Sequence, residues 1–114
     1  MIKGFIAQGG DITIGDGTGG ESVFGAPILH ENYLLKHNRK NLLSMANDTP
    51  GCECYTSQFF INFEPMPWLD GKNVVIGEVI EGLGVLKQIE DIAIGVNEVL
   101  KKQIIISASG ELPL

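Results

Sequence analysis

Few side chains in this sequence could do covalent or metal chemistry: His30 and His37, Ser44 and Ser57, and the pair Cys52 and Cys54. Neither histidine has a serine or cysteine partner at a recognisable spacing. Both serines sit in apolar runs rather than on the sharp turn of a nucleophile elbow. A triad hydrolase is therefore not expected. The acidic residues are scattered, with no pair placed for acid–base work. The two cysteines have no third or fourth ligand nearby, so no zinc site is expected. A bridge across a single intervening residue would be strained. Cys52 and Cys54 are thus expected as free thiols, which suits a reducing compartment, with the cytoplasm as the default. Gly15-Asp16-Gly17-Thr18-Gly19-Gly20 fits G-x-G-x-x-G, but the phosphate-binding version needs a helix after it. Glu21-Ser22-Val23-Phe24-Gly25-Ala26-Pro27 is not a helix start. The segment reads as a loop. Asn47-Asp48-Thr49 fits a glycosylation sequon by coincidence, with Pro50 directly behind it.

What remains is apolar and aromatic: Gly4–Asp11, and Ser57–Ile61 running on to Trp68–Lys72. On their own these describe a β domain with an aromatic face. The elements that would carry them follow from pattern. Strands are expected over 2–8, 42–46, 58–63, 74–80 and 103–108, and a Gly-rich loop over 9–25. Pro65 and Pro67 end the aromatic strand, and Asp70-Gly71 is a turn signal. Val85, Leu86, Ile89, Ile92 and Ala93 recur at helical spacing from Gly84 to about Ala93, with Gly95 as a stop. Strands without a helix between each pair argue for an antiparallel sheet or barrel, not a Rossmann fold. A filled barrel takes about eight strands. The first strand also starts without a lead-in, so a barrel incomplete at its N-terminus is expected.

Composition agrees with a single domain over 1–114. Apolar residues make up 44% of 114, enough for a core, and the 15 glycines suit a turn-rich chain. Net charge is −6 with only 8 Lys plus Arg, which sets nucleic acid aside as a ligand. No apolar run reaches the roughly 18 residues of a membrane span, and no secretion signal is visible.

Read together and in order, the segments Gly4–Asp11, Gly17–Gly25, Glu31–His37, Leu43–Asn47, Ser57–Ile61 and Trp68–Gly82 resemble the cyclophilins. The match runs through G-F-x-x-Q-G-G-D, G-T-G-G-x-S-x-F-G, E-N-Y-x-L-K-H, L-S-M-A-N, S-Q-F-F-I and W-L-D-G-K-x-V-V-I-G-x-V-x-E-G. The resemblance implies a mainly β fold, an antiparallel barrel with its active site on the outer face. It also implies peptidyl-prolyl cis-trans isomerase activity without metal or cofactor. The partners implied are proline-containing peptides and proteins, and a cyclosporin-type ligand. By the same resemblance Phe5, Phe60 and Leu69 form the proline pocket and Gln8 hydrogen-bonds the substrate backbone. Ala46 and Asn47 line the neighbouring groove, Trp68 stands at the rim, and Gln58, Ile6, Asn73 and Gly17 belong to the binding surface. Phe5, Gln8 and Asn47 are the catalytic candidates.

Some positions depart from the family pattern. The family's donor arginine would fall before Met1, and Arg39 is the sole arginine present. Ile6 stands in place of Met, a volume-conserving change. Asn73 stands in place of His. The Asp48–Thr56 loop is longer than usual and carries the cysteines. Two functions are therefore in view: an isomerase that assists protein folding, and a weak or inactive module that binds proline peptides.

Overall fold

Aromatic and β-branched side chains fit a pleated, half-buried surface, and the run around Phe59 uses that fit. The computed structural model describes residues 6–15, 18–30, 32–47, 54–94, 99–100 and 104–113. The strands β1 (Ile6–Gly9), β3 (Leu42–Met45), β5 (Phe59–Asn62) and β6 (Val75–Glu78) form one antiparallel sheet in the order β1-β5-β3-β6. Two short ladders flank it: β2 (Ile28–Leu29) with β4 (Cys54–Tyr55), and β7 (Ala93–Ile94) with β8 (Val99–Leu100). The fold is mainly β, antiparallel, with one α-helix. Among the described residues β1 and β6 are the open edges of the main sheet.

Register decides which side chains meet. Gln8 pairs with Phe60 and Phe60 with Ser44, so the three share a row across β1, β5 and β3. Side chains alternate faces along a strand. Ile6, Gln8, Phe60, Ser44 and Ala46 therefore lie on one face. Leu42, Ser44, Phe60, Asn62 and Val75 are its buried members within the strands.

Local chemistry bends the chain around this sheet. Gly10 has φ +94, and a Cβ there would sit 2.3 Å from the Ser57 carbonyl oxygen, so no other residue fits. The Asp11 carboxylate accepts from the backbone N–H groups of Thr13, Ile14 and Gly19 at 3.2, 3.0 and 2.9 Å, which folds the Gly-rich loop back on itself. The side chain of buried Asn62 accepts from the Leu42 N–H at 2.7 Å and donates to the carbonyls of Arg39 and Glu64 at 2.8 and 2.9 Å. It pins the corner that leads into β3.

Three expectations change. Residues 104–108 form no strand, and Ile105 and Ile106 are exposed. β-propensity expresses itself only against a partner ladder, and no described strand pairs with them. The helix α1 spans Leu83–Asp91, and Ala93, expected at its end, opens β7 instead. Of its side chains only Leu86 is buried. Cys54 is disulfide-bonded rather than a free thiol, and residue 52 lies outside the described residues. A short spacing makes a bridge strained but does not forbid it. No described helix is long and apolar enough to cross a membrane.

Candidate functional site

The face shared by Ile6, Gln8, Phe60 and Ala46 carries a cavity of about 280 Å³, completed by Asn47, Leu69 and Asn73. Each strand supplies its part through the period-two alternation. Leu69 comes from the 3-10 turn Pro67–Leu69, where prolines end the aromatic strand and reverse the chain. Its backbone is held by bonds from Leu69 N–H to the Met66 carbonyl at 3.0 Å and from Asn73 N–H to the Leu69 carbonyl at 3.2 Å. The Asn73 side chain donates to the Met45 carbonyl at 3.2 Å, which ties this loop to β3. The floor is apolar and the rim carries side-chain amides, a composition suited to an uncharged, amide-bearing ligand.

Gln8 is oriented from behind. Its amide donates to Gln58 Oε1 at 2.9 Å, and the Gln58 amide donates to the Gly19 carbonyl at 2.5 Å. Gln58 is 1% exposed and is not among the lining residues, so it stands behind the cavity. Gln8 Oε1 makes no hydrogen bond among the described residues. Trp68 is exposed beside Leu69 and does not line the cavity. Phe5 and Gly17 lie outside the described residues.

A second recess, of about 370 Å³, is bordered by Leu34, Leu35, Leu42, Val75 and the pair Arg39–Glu78. The Arg39 guanidinium grips Glu78 through two bonds of 3.2 and 3.1 Å. The sole arginine of the chain is thus committed away from the smaller cavity. Among the described residues no three metal-ligating side chains converge.

One arrangement was not foreseen. His37, fully buried, holds Ser44 Oγ at 2.9 Å through Nε2 and Asp70 Oδ1 at 3.0 Å through Nδ1. The expectation that His37 lacks a serine partner is therefore corrected: the corner at Asn41, with φ +67, folds β3 back beneath it. The order hydroxyl–imidazole–carboxylate is that of a hydrolase triad. Ser44 is 0% exposed and lines neither recess, so it has no access to a substrate. The Asp70 carboxyl is held below the usual carboxylate range, chiefly by the His37 backbone N–H at 2.6 Å, against a smaller upward push from desolvation. Both residues stood inside the segments Glu31–His37 and Trp68–Gly82. Only the spatial meeting of those segments reveals the link.

The family model for cyclophilin type peptidyl-prolyl cis-trans isomerase matches residues 1–111. The chain belongs to this cyclophilin-type family. It is 45% identical over 112 residues to a peptidyl-prolyl cis-trans isomerase H of Mycosarcoma maydis, an alignment covering 98% of this chain and 70% of that relative. Cyclophilins bind proline-containing peptides, and the cavity above offers the apolar floor and amide rim that such a ligand needs.

Proposed function

We propose that this cyclophilin-type chain isomerises X–Pro peptide bonds with the proline ring seated in the cavity of Phe60, Ala46 and Leu69. The observation that carries the reading is the convergence of one apolar floor and three side-chain amides, from Gln8, Asn47 and Asn73, on a single 280 Å³ recess. Rotation about an X–Pro bond breaks no bond. Its barrier of about 18–20 kcal/mol comes from amide resonance, and the unaided step takes about 10–100 s. A nucleophile or metal would add nothing. The useful work is to bind the twisted amide more tightly than either planar form.

The apolar walls exclude water around the ring, which strengthens each polar contact made there. Gln8, preset by Gln58, offers its carbonyl oxygen to a backbone N–H of the peptide. Asn47, exposed at the groove edge, offers further backbone bonds. Trp68 provides a flat apolar rim for a cyclosporin-type ligand. Arg39 is committed to Glu78, and among the described residues the side-chain amides at the cavity are those of Gln8, Asn47 and Asn73.

A protease-coupled assay on a chromogenic X–Pro peptide tests this. Turnover that is suppressed by cyclosporin and lost in Phe60→Ala, with the variant still folded by circular dichroism, is the expected result. Turnover that survives Phe60→Ala would place the chemistry elsewhere. Binding of the peptide at the cavity without rate enhancement would make the chain a proline-peptide binding module.

A further inference from the structure

We propose that His37 and Asp70 are positioning residues that hold the two apolar walls of the socket, Phe60 and Leu69, in register with each other. The inference rests on reading the 280 Å³ cavity as the proline site. Phe60 belongs to the sheet, whereas Leu69 belongs to the turn after it, and no strand pairing ties the two. Side-chain bonds must fix their relation, and beside the Asn73–Met45 bond on the far side of the turn the His37 cluster is the buried one.

His37 makes that connection through every polar group it owns. Its ring stacks on Phe60, with centroids 6.2 Å apart and planes 13° from parallel. Nε2 meets Ser44 Oγ at 2.9 Å, and Ser44 pairs directly with Phe60 in the sheet. Nδ1 and the backbone N–H both reach Asp70 Oδ1, at 3.0 and 2.6 Å. The His37 carbonyl accepts from the Met66 N–H at 2.8 Å. The turn bearing Leu69 is thus gripped at residue 66 and at residue 70 by one side of the chain. A carboxylate has no proton to give, so in the neutral ring Nδ1 donates to Asp70 and Nε2 accepts the Ser44 hydroxyl. Full burial leaves His37 no alternative partners in water. The clamp has one satisfied arrangement, and this is what sets the width of the socket.

A misplacement of about 1 Å in a substrate-positioning group can cost up to a hundredfold in rate. Asp70→Ala is expected to lower kcat/KM about ten- to a hundredfold and to move the Leu69 methyl resonances. Asp70→Asn keeps an oxygen acceptor at the same place and is expected to restore most of both. Leu86→Val, at a buried helix position outside the cavity lining, serves as the control for lost stability alone, and it should change neither. Unmoved Leu69 methyls in Asp70→Ala would overturn the proposal. So would a loss of kcat/KM in Leu86→Val that matches Asp70→Ala at equal loss of thermal stability, or an Asp70→Asn as impaired as the alanine. If Asp70→Ala fails to fold, the Leu69 resonances of Asp70→Asn against Asp70→Glu decide: the longer side chain should displace them and the amide should not. The methyl readout needs no substrate. A wild-type chain without turnover would count against the cavity as the proline site, while the Leu69 shifts would still decide the clamp.

Discussion

Gln58→Leu separates orientation from contact at the cavity. The residue is buried, lies behind Gln8, and links it to the Gly19 carbonyl through bonds of 2.9 and 2.5 Å. Leucine roughly keeps the volume and removes both bonds. The Gly19 carbonyl loses a donor, at about 1–3 kcal/mol, and the Gln8 bond contributes about 1 kcal/mol more, so stability should fall by about 2–4 kcal/mol. Gln8 meanwhile regains rotamer freedom of up to about 1.5–2 kcal/mol. If Gln8 must be held still to meet the peptide, kcat/KM falls by about tenfold, since each 1.36 kcal/mol is a factor of ten. The assay is initial-rate isomerisation with substrate below KM, on protein shown to be folded by circular dichroism. A cycle with Gln8→Ala sharpens it: in that background Gln58→Leu should cost nothing further in rate. A folded Gln58→Leu protein with unchanged kcat/KM would refute the reasoning. So would an equal loss in the Gln8→Ala background.

Gly10→Ala should destabilise the chain by at least about 1–2 kcal/mol in thermal unfolding, because φ is +94 and the new Cβ would meet the Ser57 carbonyl at 2.3 Å. Trp68→Ala should shift stability by no more than about 0.5 kcal/mol, as expected at an exposed site, yet weaken a cyclosporin-type ligand by about 2 kcal/mol in calorimetric titration. The folded-state pKa of Asp70 is depressed, so its stabilising contribution is complete above the unfolded carboxyl value of about 3.9 and is lost as pH falls through the folded value. Asp70→Asn should therefore lose stability near neutral pH and show a shallower acid transition below about pH 4, followed by circular dichroism.

Local propensity was a good guide where a strand has a long neighbour. The aromatic run at β5 and the β-branched run at β6 were legible because each pairs along its length with β3. The cavity residues Ile6, Gln8, Phe60 and Ala46 were legible as a set through the family's motifs, and strand alternation explains why they share a side. Short ladders were not legible. The pairing of Ile28–Leu29 with Cys54–Tyr55 involves too few residues for any pattern to emerge. The run Ile104-Ile105-Ile106 misled, because β-propensity reports fit to a sheet and not the presence of one. The buried roles were hidden for a different reason. Gln58 and His37 look like surface-capable polar residues in sequence, and only the fold shows that their partners lie 39 and 33 positions away.

The central claim is catalysis of X–Pro rotation in the Phe60 socket, and exchange spectroscopy tests it most directly. A proline peptide with resolved cis and trans resonances is mixed with a small fraction of the chain, and the exchange cross-peaks between the two isomers are followed. The account predicts cross-peaks that appear with the wild-type chain and disappear with Phe60→Ala or with saturating cyclosporin. A folded wild-type chain whose Phe60 and Leu69 resonances respond to the peptide, yet which produces no exchange above the uncatalysed background, would contradict it.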